Sequence, residues 1–543
     1  MESLPHEVLC NIASFLPKTL DTGNTSESLP SPGASDERPG ILVRPGIASL
    51  SRAWQSAIET ITFREIHIKS NQPELETFKG ALSDLPRCSH RRRALRKLHY
   101  DVVLPVYNDQ SCAEYETDDD RKANDDVFTK GVSELVQHLS KWPAECRLVL
   151  ALDVYSPMDY RVQPDEIREK RNRFQRTVEL GRREDLKNDR YLYSYLSLRS
   201  PLPTVSCIDS LSGANRTRAL HPSTQVALIA ACPRLRSVSF NYAEPDQFMP
   251  LRRQLRQDLT ASLETFQLSP ETRTLHFAIA EPTVRHDLKL ADFTDPELHH
   301  DPLCLRLRTI IGNSKLQVLN YDGMVDAALF WPPSYDGAEQ DKPWADIKDV
   351  WINFDMASPS GQWYFKAKPG DPYSKPESDE PLPRSTGGYW PPGYGTAEQT
   401  VAALAFQRSL QPRVDGDGLG NMGDDFRQMP NDDAMMPLLE AVAQRIADMP
   451  SLESWYMATE IPQTSSEWFL TYSAAGKTTG YEDCMDEAVL DEGQGEIAQL
   501  EAGSRAHVLF HVGDWRPTRQ VLDLFRKAGG TEDAIVAFLP YLY

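Results

Sequence analysis

Leu235-Arg236-Ser237-Val238-Ser239-Phe240 is the stretch whose reading decides the fold. Its apolar residues stand first, fourth and sixth. Val238 and Phe240 therefore share one face of a short strand, since successive strand side chains point to opposite sides. The same order, Leu-x-x-(Leu/Val/Trp)-x-(aromatic/Met), returns at Leu95/Leu98/Tyr100, Leu316/Leu319/Tyr321 and Leu452/Trp455/Met457. Helical spacing precedes two of these, over Gln225–Cys232 and Met435–Ala447. Pro233 and Pro450 follow them and cannot continue a helix.

Working outward, Phe63–Ile68 alternates like a strand, and Leu75, Phe78, Leu82 and Leu85 fall on one helical stripe. Further strands are expected at Leu148–Val154, Thr274–Ile279, Val350–Phe354 and Val508–Val512. Helix, turn and short strand, repeated, is the grammar of leucine-rich-repeat solenoids. The spacing departs from it, with intervals of roughly 30 to over 100 residues against ~20–29 in a regular repeat. The fold class expected is α/β: an irregular leucine-rich-repeat-like solenoid with long loop insertions, spanning 67–543. The alternative is an α/β protein in which the pattern recurs by chance.

Four segments stand out as insertions. Residues 114–126 gather Glu114, Glu116, Asp118, Asp119, Asp120, Asp125 and Asp126, and 159–190 mix both charge signs. Residues 357–395 are rich in proline and glycine but hold Trp363, Tyr364, Phe365, Tyr389, Trp390 and Tyr394. Residues 412–433 are rich in glycine and aspartate. The aromatics of the third segment are expected to pack the loop back onto the domain; binding anchors are the alternative.

The start of the chain carries a different signal. Leu4, Val8, Leu9, Ile12, Phe15 and Leu16 follow helical steps, with Pro5 suited to a first turn, Glu7 favoured by the helix dipole and Pro17 ending the run. A second block places Ile47, Leu50, Trp54, Ala57, Ile58 and Ile61 at steps of three and four. Together the Leu-Pro-x-Glu-Val-Leu-x-x-Ile opening and the later Ser51-Arg52-x-Trp54 resemble the F-box, the helical module by which receptors join SCF-type ubiquitin ligases. Lys18–Gly46 departs from the family's compact middle and reads as a disordered insertion. The resemblance implies an F-box-like helical module over 1–66. It implies a Skp-type adaptor bound through Leu4, Pro5, Glu7, Val8, Leu9, Ile12, Phe15, Leu16, Ile47, Leu50, Trp54 and Ile58. Through the adaptor it implies a cullin scaffold, with a target protein held by the C-terminal region. Many fungal F-box proteins are similar in layout.

Composition narrows the alternatives. The 543 residues exceed one simple core, and the net charge of -21 argues against nucleic-acid or anionic-membrane partners. Eight scattered cysteines without a Cys-x-x-Cys pair read as buried reduced thiols. No signal segment or membrane span is visible, which points to a cytoplasmic or nuclear protein. No cofactor is expected. Ser473–Thr478 ends like a P-loop, but Thr471 stands where a glycine is needed. His299, His300, Asp301 and Cys304 read as a solvated helix start rather than a metal site. His507 and His511 share one strand face without a third ligand. The F-box resemblance implies a non-catalytic receptor. The alternatives are a non-ligase repeat-type scaffold and an uncharacterised hydrolase.

Overall fold

The computed structural model describes Leu9 and residues 51–71, 73–83, 85–108, 111, 116–159, 191, 194–213, 218–243, 249–280, 290–332, 342–371, 374, 426–461, 466–477, 489–490, 505–530 and 533–539. The first half runs α1 (Arg52–Thr62), β1 (Glu65–Lys69), α2 (Glu74–Ala81), α3 (Ser89–Ala94), β2 (Lys97–Val103), α4 (Asp118–Leu139), β3 (Leu148–Tyr155), β4 (Ile208–Ser212), α5 (Pro222–Ala230) and β5 (Ser237–Ala243). It continues through α6 (Met249–Leu263), β6 (Thr274–Ala280), α7 (Pro302–Gly312), β7 (Val318–Gly323), α8 (Ala327–Phe330) and β8 (Asp349–Phe354). The C-terminal part holds β9 (Phe365–Ala367), β10 (Arg427–Pro430), α9 (Asp432–Ala447), β11 (Ser454–Ile461), β12 (Ser466–Ser473), β13 (Val489–Leu490), β14 (His507–His511), α10 (Arg519–Lys527) and β15 (Ile535–Leu539).

The fold is mixed α/β with parallel sheets. Strands β1-β2-β3-β4 form one parallel sheet in chain order. Strands β5-β6-β7-β8-β11 continue in parallel and in chain order, followed by β12, β14, β15 and β13. A backbone bond from Arg236 N–H to the Asp209 carbonyl, 3.4 Å, links β4 to the start of β5. Only β12 and β13 run antiparallel in this larger sheet. Right-handed crossovers that always step the same way place every helix on the same face. The helices accordingly touch in succession, α5 to α6, α7, α8, α9 and α10. One hydrophobic core runs beneath them from Ile68 to Phe538.

The recurring sequence pattern is the signature of that core. Leu95, Leu98 and Tyr100 are buried, as are Leu235/Val238/Phe240, Leu316/Leu319/Tyr321 and Leu452/Trp455/Met457. Two further copies fill the intervals: Thr272/Leu275/Phe277 and Ile347/Val350/Ile352 are buried in the same way. Local capping starts the helices. Asp301 accepts from the Leu303 and Cys304 N–H groups and Asp326 from Ala328, while Pro222 and Pro302 sit in first turns.

Two expectations change. Leu85 leaves its stripe and is 47% exposed, because α2 stops at Ala81 and the chain turns there. The acidic segment is, from Thr117 onward, the capped start of α4. Thr117 and Asp120 form a capping box, and the first-turn aspartates face the positive helix end. Two of its other acids are buried in ion pairs, Glu116 with Arg218 at 2.5 Å and Asp125 with Arg199 at 2.6 Å. Trp363, Tyr364 and Phe365 do pack back as buried side chains. Tyr389, Trp390 and Tyr394 lie outside the described residues, as do 160–190 and most of 412–433.

Arg445 on α9 is fully buried. Its Nε donates to the Phe330 carbonyl at 2.6 Å, and its guanidinium lies 5.0 Å from the Trp344 ring centre. Replacing it leaves that carbonyl without its donor. Arg445→Met is expected to cost about 2–3 kcal/mol, read as a lowered denaturation midpoint with unchanged secondary structure.

Candidate recognition face

The second face of the sheet is unevenly covered. Strand β8 shows the alternation plainly: Val350, Ile352 and Phe354 are buried under the helices, and Asp349, Trp351 and Asn353 are exposed. Register carries this across the sheet. Ser239, His276, Asn320, Trp351, Tyr456, Thr471, Leu509 and Ala537 form one continuous cross-strand row. Asn241, Ala278, Asp322, Asn353, Ala458, Phe469, His511 and Leu539 form the next.

These rows are wet at one end and dry at the other. Ser239, Asn241, His276, Asp322 and Asn353 are exposed. Tyr456, Ala458, Phe469, Leu509, Ala537 and Leu539 form a second buried apolar cluster. Trp351 stands on the boundary. It is 52% exposed, and its ring centre lies 4.2 Å from that of Tyr456. Tyr456 stacks on Phe469 at 6.0 Å, and Phe469 meets His511 at 4.7 Å. An aromatic ledge beside hydrogen-bonding side chains is the composition of a protein-binding surface. On β1 and β2 the same face carries polar pairs, His67 with Asp101 at 2.8 Å and His99 with Glu65 at 2.9 Å.

Burial pushes the Cys207 and Cys232 thiols up to about 12, so both are protonated at neutral pH. Cys88, Cys146 and Cys304 are also buried free thiols, while Cys10, Cys112 and Cys484 lie outside the described residues. Among the described residues no group of three His, Cys, Asp or Glu side chains is arranged to hold a metal. Asp301 does begin a helix, but it is buried and paired with Arg256 at 2.7 Å rather than solvated. Lys477, in the segment resembling a P-loop end, pairs with Glu453 instead. No described helix is long and apolar enough to cross a membrane.

Of the expected adaptor contacts, Leu4, Pro5, Glu7, Val8, Ile12, Phe15, Leu16, Ile47 and Leu50 lie outside the described residues, as does the insertion Lys18–Gly46. Leu9 and Ile58 are buried by the chain itself, and Trp54 is half-buried. Ser51 caps α1 by accepting from the Trp54 N–H at 3.3 Å. Glu59 then fastens α1 to α3. Its carboxylate accepts from Arg91 Nη2 at 2.6 Å and Arg91 Nε at 3.0 Å, and it also meets His90. Trp351 and its row were not singled out in the sequence. The signal was there: alternation within Asp349–Phe354 turns Trp351 away from the residues it buries.

No family model and no curated protein matches this chain.

Burial acts to raise the Glu59 carboxyl, but hydrogen bonds from Arg91, His90 and Gln55 outweigh it and bring the group to about 2. Its pKa is thus depressed from an ordinary 4.5. The stabilisation is complete above about pH 4.5 and is lost as the pH falls through about 2. Glu59→Gln removes it at every pH. Hydrogen exchange at pH 7 should show α1 amides losing protection in the variant by about 1–3 kcal/mol, with α9 unchanged.

Proposed function

We propose that this chain is the substrate-recognition subunit of an SCF-type ubiquitin ligase. In this reading the N-terminal block, with Trp54 at its second helix, docks in a Skp-type adaptor groove and so reaches a cullin scaffold. A helix face laid in a partner groove, with an aromatic anchor, is an ordinary mode of recognition. The parallel, chain-ordered strands behind it act as a leucine-rich-repeat-like solenoid whose uncovered face holds the target. The chain itself makes no bonds; it raises the effective concentration of the target near a ubiquitin-charged enzyme. A cytoplasmic or nuclear location accords with that role.

The observation that carries the recognition part is the uncovered face over β5–β8. Parallel sheets are normally buried on both sides. Here Ser239, His276 and Trp351 lie in register and exposed. The adaptor part rests on the sequence pattern around Leu4–Leu16 and Ile47–Ile58. A repeat-type scaffold that binds a partner without any ligase is the second reading. The same uncovered face favours it equally.

Co-purification separates the two. The full chain should retain a Skp-type adaptor, and Trp54→Ala should weaken that binding by about 2 kcal/mol or more. Retention of the adaptor at unchanged affinity would remove Trp54 as the anchor, and no retention by the unaltered chain would leave the scaffold reading. Trp351→Ala should shift the melting temperature by no more than a few degrees, since the residue is half in water. It should deplete co-purified target proteins while the adaptor stays bound.

A further inference from the structure

The recurring pattern has a second feature, at the place just after its leading buried residue. That place holds Arg64 before β1, Arg96 before β2, Arg236 before β5, Arg273 before β6 and Lys348 before β8, and Arg147 stands immediately before β3, one residue out of this register. The backbone stacks Arg64 with Arg96, and Arg236 with Arg273, Gln317 and Lys348. Arg96 N–H donates to the Arg64 carbonyl at 2.8 Å, and Val149 N–H to that of Arg96 at 2.8 Å. Arg273 N–H donates to Arg236 at 2.8 Å, Gln317 to Arg273 at 2.7 Å, and Lys348 to Gln317 at 2.8 Å. Gln317 is the neutral rung of this second run, and β4 contributes no cation. Arg64, Arg96, Arg147, Arg236 and Lys348 are exposed, and Arg273 is half-buried.

All but Lys348 are left without a carboxylate partner within the described fold. Among the described residues, the side chains of Arg64, Arg96, Arg147, Arg236 and Arg273 form no ion pair. Arg273 instead donates to the carbonyls of Pro270, Thr272 and Lys315. Lys348 alone in the row has a carboxylate, Glu453 at 2.9 Å. Two neighbouring carboxylates are already taken, Glu65 by Lys97 and His99 and Glu271 by Arg234. Arg147 also holds φ 35°, a backbone state that favours glycine, yet carries a long cationic side chain there.

In a chain of net charge -21, six cations are gathered along one edge. Neighbouring parallel strands lie ~4.8 Å apart. The charges of adjacent rungs therefore fall within one screening length, about 8 Å at physiological salt, and their fields add. Eight strands span ~34 Å at that spacing, which an extended peptide covers with about ten residues. A nucleic acid brings its charge along its whole length and meets the repulsion of the acidic remainder. A short acidic peptide meets chiefly the row.

We propose that the strand-start edge from β1 to β8, marked by Arg64, Arg96, Arg147, Arg236, Arg273 and Lys348, docks an acidic peptide segment of a partner protein. The segment crosses the strands, with its carboxylates against the guanidinium groups, which suit bidentate carboxylate contacts. This surface is distinct from the Trp351 face and does not depend on the adaptor reading.

The test is fluorescence anisotropy of the full chain with a labelled twelve-residue Asp/Glu peptide, its Asn/Gln counterpart, and a single-stranded oligonucleotide of equal charge. The acidic peptide should bind, lose affinity steeply between 50 and 300 mM salt, and exceed both other probes. Arg96→Glu with Arg236→Glu should weaken it at least tenfold. Lys122→Glu with Arg519→Glu, the same charge change on exposed helix positions, should weaken it less than twofold. If the first pair does not fold, Arg96→Gln with Arg236→Gln takes its place and should still weaken binding several-fold. Absence of binding to the acidic peptide, equal losses in both variant pairs, or tighter binding of the oligonucleotide would each overturn the proposal.

Discussion

The rest of the described fold depends on one constraint: most new parallel strands are pinned by a backbone N–H at their start to the rung before them. Arg96 hangs on Arg64, Arg273 on Arg236, Gln317 on Arg273, Lys348 on Gln317 and Glu453 on Lys348, all at 2.7–2.8 Å. A strand that always adds on the same side needs a crossover of the same hand each time, so the helices collect on one face. The core then forms once, between that helix layer and the inward residues of the strands. The opposite face is left to solvent or to a partner.

The antiparallel strand β12 ends this regime. It returns beside β11 without a helix, and from there the second face dries into the cluster of Tyr456, Phe469, Leu509 and Leu539. Trp351 therefore stands where wet polar rows meet dry apolar ones. Beneath the helices, two buried guanidinium groups meet buried carboxylates. Arg256 meets Asp301, which also caps α7, so one carboxylate answers a guanidinium and a helix end together. Arg218 in turn answers two carboxylates, Glu116 and Asp159, tying the segment before α4 to the turn after β3. Such pairs add little net stability, because each group was expensive to dry.

Much of the fold was legible because its signal is local. A buried Leu, two residues, an apolar residue, one residue and an aromatic describe a strand start that any helix-covered sheet would bury. The copies at Thr272 and Ile347 were not seen as members because Thr272 is polar and Ile352 is not aromatic. Thr272 fits because its hydroxyl donates to the Leu235 carbonyl. The acidic segment at 114–126 misled because charge density alone does not distinguish a loop from a capped helix start. The order of strands was out of reach, since register depends on contacts between distant residues. The Trp351 row was half visible: alternation within β8 points it outward, but its neighbours come from seven other strands. The N-terminal signal was the reverse, a recognisable sequence pattern whose expected adaptor contacts, among the described residues, are Leu9, Trp54 and Ile58.

The function we propose unites these parts as a recognition subunit, with an adaptor on the N-terminal block and a target on the uncovered sheet face. Cross-linking mass spectrometry of complexes captured on the full chain, with the proteasome inhibited, tests it most directly. The account predicts adaptor cross-links confined to Lys69, Lys79 and the residues before them, and target cross-links at Lys348 and other positions bordering β5–β8. Target cross-links confined to the helix layer, or captured complexes without any adaptor, would contradict it.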